Sequence, residues 1–315
     1  MAWAEAWSAL RAKRSGVEFR SATYEGQQAA AAGQSGALPA FLVAGPPRTG
    51  TSWLHEVLQP HVRLPALSKE TRFFDLHFQR GLNWYLEHFP NPGDGRPAGE
   101  IAPTYFASPS ARERIARTLP QARLVFTFRH PVQRLLSLYR LKRAYGMEGR
   151  SLDRALELDP ELIGSSRYAT HLAEWQKRFA ADQIQVNFYE DLGDDPQGFV
   201  NRIADFLGVP RFGLEQRLAG GSPLHSSAAM TEPRWYPATR AATAMADWCK
   251  GRSLDSFVAG VRNSRLSHLL LGGGAPFAEV PRETMEKVAR LLLPETEKLE
   301  ALLGRDLSAW KETPD

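Results

Sequence analysis

Hydrophobic residues along this chain alternate between short continuous runs and longer stretches with a helical period. The continuous runs predict buried β-strands at residues 41–44, 99–103, 122–128 and 184–189. Between them, apolar residues recur at every third or fourth position, which predicts amphipathic helices at residues 53–58, 110–118, 131–143, 167–179 and 196–207. Strands that alternate with helices favour a parallel sheet with helices on both faces. The pattern therefore predicts an α/β fold built as a three-layer sandwich.

Residues 1–37 show helical character without a strand signal. Trp3 and Trp7 recur at helical spacing, so we expect an N-terminal helical extension that packs on the domain. Its second part, the alanine- and glutamine-rich residues 25–37, is compatible with a helix or with a linker. No internal repeat and no change of composition marks a boundary, which predicts a single domain over residues 1–315.

The C-terminal third of the chain is less regular. Residues 220–280 have the weakest pattern, with two glycine clusters and scattered aromatic residues, and we expect an irregular cap that contacts substrate. Residues 281–303 have a helical period, but Pro294 lies inside it. Proline removes a backbone hydrogen bond and clashes with the preceding turn, so we expect the helix to be interrupted there.

Composition narrows the classes of function. The chain has 315 residues, of which 43% are hydrophobic and 23% charged, typical of a globular protein with a sizeable core. A net charge of +4 suits an anionic ligand, but no run of Lys and Arg indicates nucleic-acid binding. Cys249 is the only cysteine, which excludes a disulfide within the chain, and no cluster has metal-ligand spacing. No segment predicts a signal peptide or a membrane span, so a cytoplasmic location is expected.

The clearest chemical signal is the loop that follows the first strand. Gly45, four residues and then Gly50 have the spacing of a P-loop, in which backbone N–H groups at a helix start bind phosphate. Thr51 occupies the position where nucleoside triphosphatases carry lysine, and the loop instead contains Arg48. We therefore predict a P-loop-like phosphate site that lacks the usual lysine.

A second basic position follows the third strand. Arg129 lies at the carboxyl end of that strand, where ligands bind in open parallel sheets. P-loop enzymes carry a magnesium-binding carboxylate at such a strand end, so an arginine there argues against a magnesium-dependent kinase. Ser137 follows eight residues later, within the helix that Pro131 starts. A guanidinium and a hydroxyl that converge from strand and helix can bind a second phosphate.

These two motifs together resemble the sulfotransferases that use 3′-phosphoadenosine 5′-phosphosulfate, abbreviated PAPS. Residues 46–53 resemble the family's 5′-phosphosulfate loop, and residues 129–137 resemble its 3′-phosphate segment. Residues 68–75 are similar to the Lys-Glu-x-x-Phe-Phe element of heparan-type sulfotransferases. Weaker similarities follow in the same order at residues 167–175, 188–192, 206–208 and 299–310, the last of which resembles bacterial members.

The resemblance implies a PAPS site and a catalytic pair that needs no metal. It implies that Glu70 is the general base and that Arg48 stabilises the leaving 5′-phosphate. Trp53 or Tyr168 is expected to flank the adenine. The complete set implied to bind the donor is Arg48, Thr49, Gly50, Thr51, Ser52, Trp53, Arg129, Ser137 and Tyr168.

Two parts of this site stay open in the sequence. His77, seven residues after Glu70, is an alternative base, because histidine has that role in the cytosolic branch of the family. The late arginine- and lysine-containing loop that binds the 3′-phosphate in cytosolic members has no clear equivalent here. Arg234, or Arg262 together with Arg265, is a candidate replacement.

The sequence thus predicts transfer of a sulfuryl group from PAPS to a hydroxyl or amine of a small-molecule or carbohydrate acceptor. The alternatives are a P-loop-type nucleotide or small-molecule kinase, and a non-catalytic nucleotide-binding protein of the same fold. Neither nucleic acid nor a membrane is expected as a partner, and the sequence indicates neither the acceptor nor the oligomeric state.

Overall fold

The computed structural model describes residues 38–89, 95–219, 230–250 and 274–314. Its four strands are β1 (Phe41–Val43), β2 (Gly99–Ile101), β3 (Arg123–Phe128) and β4 (Ile184–Phe188). Its helices are α1 (Thr51–Leu58), α2 (Leu82–Leu86), α3 (Pro109–Thr118), α4 (Pro131–Ala144), α5 (Leu152–Leu158), α6 (Pro160–Gly164), α7 (Tyr168–Gln176), α8 (Tyr189–Asp194), α9 (Pro196–Leu207), α10 (Tyr236–Lys250) and α11 (Arg282–Leu303). A π-helical turn at Phe73–His77 and short 3₁₀ turns at Phe78–Arg80, Pro103–Tyr105, Ala181–Gln183 and Ser308–Trp310 complete the described elements.

The four strands form one parallel sheet in the order β2-β1-β3-β4. Val43 pairs with Ile101 on one side of β1 and with Val125 on the other. The next strand along the chain, β2, pairs with one edge of β1, and the strand after that, β3, pairs with its other edge. The strand order therefore reverses between β1 and β3, where a crevice opens beyond the carboxyl ends of the strands.

Helices cover both faces of the sheet because alternate strand residues point to opposite sides. Phe41 and Val43 of β1 join a buried cluster with α1 and α9, which also contains Trp53 and Phe199. Leu42 faces the other side and joins a larger cluster with the π-helical turn, α2, α3 and α7. The predicted three-layer α/β sandwich is confirmed.

Several helices begin and end where local chemistry favours it. Helix α3 starts with proline in its first turn, and the Ser108 hydroxyl accepts a hydrogen bond from Ala111 N. Helix α9 starts at Pro196 with an Asp195 cap and ends at Gly208, whose φ of 70° suits glycine. Helix α4 also starts at a proline, Pro131, directly after the turn that follows β3. These positions fix where the loops at the carboxyl edge begin.

Two expectations for the C-terminal third differ from the structure. Helix α11 runs without interruption through Pro294, so the expected break is wrong. The exposed side of the helix accommodates that proline, while Val288, Leu292 and Leu299 hold the opposite side in the core. The supposedly irregular cap contains the regular helix α10. The remainder of that cap at 220–229 and 251–273, and the N-terminal extension at 1–37, lie outside the described residues.

Candidate active site

The loop after β1 lies directly against β3. A Cβ atom added to Gly45 would lie 2.7 Å from the backbone N of Thr127, so a side chain there would push the loop away from the sheet. Gly50, with a φ of 87°, precedes α1, and Arg48 also has a positive φ of 76°. A non-glycine residue in this region is uncommon and costs free energy, which is typical of functional loops.

This loop leads into the start of α1. The hydroxyl of Thr49 donates to the carbonyl of Pro46 at 2.8 Å and so closes the loop internally. No described side chain caps the helix at Gly50. The first backbone N–H groups of an α-helix lack partners within the helix, so those of Thr51 and Ser52 form an anion-binding end at the crevice.

Arg48 and Ser137 join the two motifs that the sequence placed 89 residues apart. The Arg48 Nε donates a hydrogen bond of 2.9 Å to the Ser137 hydroxyl, which is almost fully buried on α4. Ser137 faces the crevice because Val132, Leu135 and Leu136 of the same helix are buried in a separate cluster with α5, α6 and α11. The observed partner of Ser137 is thus Arg48 of the loop, while the convergence of Arg129 with Ser137 stays a prediction.

Arg129 adds a second guanidinium beside Arg48. Burial first, and then the charge of Arg129, lower the pKa of Arg48. The Arg129 Nε is buried and has no hydrogen-bond partner among the described residues. Its guanidinium carbon lies 4.6 Å from the ring centre of Tyr189. A buried, unpaired donor next to a second cation is the arrangement that a bound phosphate would satisfy.

Residues at the end of β4 support this turn, and the sequence reasoning included them in a segment similar to the family without giving them a role. The Glu190 carboxylate accepts a hydrogen bond of 2.8 Å from the backbone N of His130. The Tyr189 ring approaches to 3.2 Å of the Cβ position at Gly50. Both residues follow a strand at the same carboxyl edge as Arg129, and that position was the signal that could have identified them.

Lys69 places an ammonium group beside the phosphate loop, which contains no lysine of its own. Its Nζ donates a hydrogen bond of 2.8 Å to the Ser52 hydroxyl in the first turn of α1. The contact brings the segment that carries Glu70 next to the phosphate loop. Glu70 is half-buried, and its backbone carbonyl accepts a hydrogen bond of 2.9 Å from the Ser68 hydroxyl. Burial lowers the pKa of Arg72, but the charge of Asp75, and to a smaller extent that of Glu70, raises it above its ordinary value.

Two of the predicted donor-binding side chains are packed in the interior. Trp53 is 1% exposed, lies edge to face with Phe199, and donates to the carbonyl of Leu218. Tyr168 is 2% exposed and stacks on Phe128 at 4.6 Å. Neither ring offers an open face for adenine in this conformation. An adenine contact through either ring remains a prediction that requires this packing to change.

The Tyr168 hydroxyl has a different place in the site. It donates a hydrogen bond of 2.9 Å to the carbonyl of Arg129 and so fixes the backbone of the strand-end turn. His77 lies at the end of the π-helical turn, with its ring against Trp84. Among the candidate late arginines, Arg234 is exposed, whereas 262 and 265 lie outside the described residues.

The arrangement as a whole gathers cationic groups around the open start of α1. Arg48 hydrogen-bonds Ser137 and lies close enough to Arg129 for the two charges to interact, and Lys69 contacts Ser52 in the first turn of the helix. Such a group of cations beside a helix start can bind phosphate groups. The described residues contain no group of three His, Cys, Asp or Glu side chains that could hold a metal ion.

Comparison with known proteins assigns the chain to a family. The profile of the sulfotransferase domain family matches residues 38–218, more than half of the chain. A solved sulfotransferase from Alicyclobacillus acidocaldarius has the same fold, with a TM-score of 0.63 and 20% identity over 88% of this chain and all of that one. The chain therefore belongs to the sulfotransferase domain family.

Curated proteins that resemble part of this chain include heparan sulfate sulfotransferases. Human heparan sulfate glucosamine 3-O-sulfotransferase 6 is 34% identical over 181 residues, which cover 55% of this chain and 53% of the relative. The bifunctional heparan sulfate N-deacetylase/N-sulfotransferase 1 of Caenorhabditis briggsae is 28% identical over 58% of this chain and 24% of the relative. This chain thus spans about half or less of the length of these relatives. Within its described residues, no helix is long and apolar enough to cross a membrane.

Proposed function

We propose that this protein transfers a sulfuryl group from PAPS to a hydroxyl or amine of a carbohydrate acceptor. The observation that carries the proposal is the Arg48–Ser137 hydrogen bond beside Arg129, which joins the two anion positions into one site. Membership of the sulfotransferase domain family supports the reaction class. The names of the relatives, which act on heparan sulfate, support the acceptor class.

The residues present fit the donor. The unpaired Arg129 Nε and the Ser137 hydroxyl would hold the 3′-phosphate, and Arg48 with the start of α1 would hold the 5′-phosphate. PAPS supplies the sulfuryl group and leaves as adenosine 3′,5′-bisphosphate. Arg48 and Lys69 stabilise the negative charge that develops on the leaving oxygen, because both cations lie at the loop.

Glu70 completes the reaction as the proton acceptor. As the acceptor oxygen or nitrogen forms its bond to sulfur and the bond from sulfur to the 5′-phosphate oxygen breaks, the Glu70 carboxylate takes the acceptor's proton. The Lys69–Ser52 contact supports this role, because it brings the residue next to Glu70 to the first turn of α1. Lys69 thus adds a second cation beside the loop, which contains no lysine of its own.

Ligand selectivity provides the first test. Stabilisation by a ligand that binds the native state grows with its concentration relative to its Kd. Adenosine 3′,5′-bisphosphate is therefore expected to raise the Tm clearly more than ADP at equal concentration. Equal or greater stabilisation by ADP, particularly with Mg²⁺, would contradict the 3′-phosphate site and favour a kinase.

Transfer itself provides the second test. Radiolabelled PAPS is incubated with desulfated heparan sulfate and, in parallel, with a panel of phenols and alcohols. Label on the polysaccharide is expected. Label only on small phenols would overturn the acceptor class but keep the reaction. Tight binding of adenosine 3′,5′-bisphosphate without transfer to any acceptor or to water would indicate a non-catalytic nucleotide-binding protein.

A further inference from the structure

Glu100 is a carboxylic acid enclosed in aromatic side chains. It is the central residue of β2, its side chain is fully buried, and its position faces the cluster that contains Phe73, Phe74, Tyr85 and Tyr105. A buried carboxylate is unfavourable unless hydrogen bonds compensate for the loss of water. Neither the loop motifs nor the proton transfer described above uses this group.

Each oxygen of Glu100 has its own set of donors. Oε1 accepts two hydrogen bonds of 2.7 Å, one from the backbone N and one from the hydroxyl of Thr71. Oε2 accepts from the Tyr85 hydroxyl at 3.0 Å and from the Tyr105 hydroxyl at 3.2 Å. The carboxyl group therefore joins β2, α2 and the turn after β2 to the segment around Thr71.

The contact to Thr71 acts on the peptide group that follows Glu70. The N–H bonded to Oε1 belongs to the peptide bond between Glu70 and Thr71, so the contact fixes the plane from which the Glu70 side chain extends. The Thr71 hydroxyl also accepts a bond of 3.1 Å from the backbone N of Phe73, which continues the restraint into the π-helical turn. Arg72 between them has a left-handed φ of 53°, so this stretch depends on such restraints.

We propose that Glu100 is the positioning residue for the catalytic base: its Oε1 holds the Glu70–Thr71 peptide and thereby aims the Glu70 carboxylate at the acceptor. The inference rests on the proposed function for Glu70. It assigns different tasks to the two oxygens, since Oε1 positions the base and Oε2 only anchors the carboxyl group to the tyrosines. Glu100 itself does not contact substrate and is not a proton acceptor in the reaction.

This division of tasks defines the variants. Glu100→Leu removes both acceptor oxygens while keeping a similar side-chain volume. Glu100→Gln can keep its amide oxygen on Thr71 and direct its N–H₂ group to the tyrosine hydroxyls, which are able to accept. Tyr85→Phe is the matched control, because it removes one bond to Oε2 in the same buried cluster and leaves the Thr71 contact intact.

Three readouts are measured on each folded variant: kcat for transfer from PAPS to desulfated heparan sulfate, Kd for adenosine 3′,5′-bisphosphate, and amide hydrogen exchange in the peptide around Thr71. For Glu100→Leu we expect kcat to fall roughly 100-fold, as for a misplaced catalytic group, with faster exchange and a Kd that changes far less than kcat. Glu100→Gln and Tyr85→Phe are expected to keep kcat within about threefold of the unmodified protein, since each preserves the acceptor for the Thr71 N–H. Glu100→Asp, which withdraws the carboxylate by one methylene, should resemble Glu100→Leu and replaces it if that variant does not fold.

The outcomes separate this inference from the function on which it rests. If Glu100→Leu or Glu100→Asp folds, binds the bisphosphate and keeps kcat at the level of Tyr85→Phe, the positioning role is wrong although the enzyme is a sulfotransferase. Unchanged exchange at Thr71 in those variants overturns the inference as well, with or without activity. If the unmodified protein transfers to no acceptor, the proposed function fails, whereas faster exchange at Thr71 still supports the structural restraint.

Discussion

At the scale of single residues, the most informative feature is the proximity of two guanidinium groups. The charge of Arg129 lowers the pKa of Arg48, so the two cations disfavour each other in the free protein. A bound anion relieves this repulsion and gains charge-assisted hydrogen bonds. Binding selectivity is therefore expected to depend on each arginine separately.

Replacing Arg129 by alanine should affect the 3′-phosphate alone. Hydrogen bonds to charged groups contribute about 1.5–3 kcal/mol, so the affinity for adenosine 3′,5′-bisphosphate should fall about 10- to 100-fold. The affinity for AMP, which lacks the 3′-phosphate, should change much less. Calorimetric titration of both ligands measures the difference. Arg117→Ala is the control, because Arg117 lies in an exposed ion pair with Glu113 on α3. Equal losses for both ligands would contradict the assignment.

Removing the proposed base should slow the reaction without loosening the donor. Glu70→Gln keeps the shape of the side chain but accepts a proton poorly, and general-base catalysis contributes about 100- to 10,000-fold. We expect kcat to fall within that range, while the Kd of adenosine 3′,5′-bisphosphate stays within about threefold of the original value, because the amide adds no contact to the phosphates. Steady-state kinetics and thermal shifts measure the two quantities.

The matched control for that change is Glu87→Gln, an exposed glutamate on the same stretch of chain. Its kcat should not change. If Glu70→Gln retained activity while His77→Asn lost it, the base would be His77.

At the scale of elements, the start of α1 depends on Gly50. Its φ of 87° is unfavourable for any residue with a Cβ, and that Cβ would lie 3.2 Å from the Tyr189 ring. Gly193 in α8 offers a contrast, because a Cβ there meets nothing within 4 Å. Alanine substitutions at the two positions therefore separate the cost of the left-handed conformation at Gly50 from the general effect of adding a methyl group.

Gly50→Ala should destabilise the protein by roughly 1–2 kcal/mol from the left-handed backbone alone. It should also weaken binding of adenosine 3′,5′-bisphosphate, since the loop and the first turn of α1 must shift. Gly193→Ala should be neutral or stabilise the protein by up to about 1 kcal/mol, because alanine restricts the unfolded chain and favours a helix. Chemical denaturation compares the free energies of unfolding. Equal changes in the free energy of unfolding for the two substitutions would show that a side chain at position 50 does not strain the loop.

At the scale of the whole molecule, Glu100 links stability to pH. Burial, partly opposed by hydrogen bonds from Thr71, Tyr85 and Tyr105, raises its pKa to about 7. Burial also raises the pKa of both tyrosine hydroxyls well above its ordinary value, so they remain protonated donors. Asp75 on the π-helical turn is a further carboxylate, close enough to Tyr105 for its charge to raise the pKa of that hydroxyl as well.

Because its pKa is higher in the folded than in the unfolded state, Glu100 stabilises the fold most below its usual pKa. That contribution is lost as the pH rises towards 7 and amounts to about 3 kcal/mol. Glu100→Gln stays neutral, so its free energy of unfolding should fall less than that of the unmodified protein between pH 5 and 8. Urea denaturation at several pH values measures the difference. Parallel curves for the two proteins would show that Glu100 does not change its protonation on folding.

The hydrophobic periodicity of the chain was sufficient to predict where the elements with a buried face lie. The strand predicted at residues 122–128 and the helix predicted at 196–207 match β3 and α9 closely, because their apolar residues and end signals agree. Pro294 was misjudged since burial of one side of α11 outweighs the local cost of proline. Helix α10 was missed because alanine occupies five of its fifteen positions, so it has few of the large apolar side chains that mark an amphipathic helix in sequence.

The sequence by itself determined the class of the protein. The spacing of Gly45 and Gly50, the arginine in place of lysine, and the arginine–serine pair at the third strand are local patterns with a local physical meaning. They predict a phosphate loop and a second anion position, and together they resemble motifs of the sulfotransferase family. The hydrogen bond between Arg48 and Ser137, which links the two motifs, was not part of that pattern and is seen only in the structure.

Only the tertiary structure decided which residues support that chemistry. Lys69 reaches Ser52 across 17 positions of sequence, and Glu100 holds Thr71 across 29. Glu100 lies on β2, whose parallel pairing with β1 is a tertiary feature, and no periodicity records which strand lies beside which. The same packing withdraws Trp53 into the core. Residue types predict chemistry when their neighbours in sequence are also their neighbours in space, whereas partners from different elements are set by the fold.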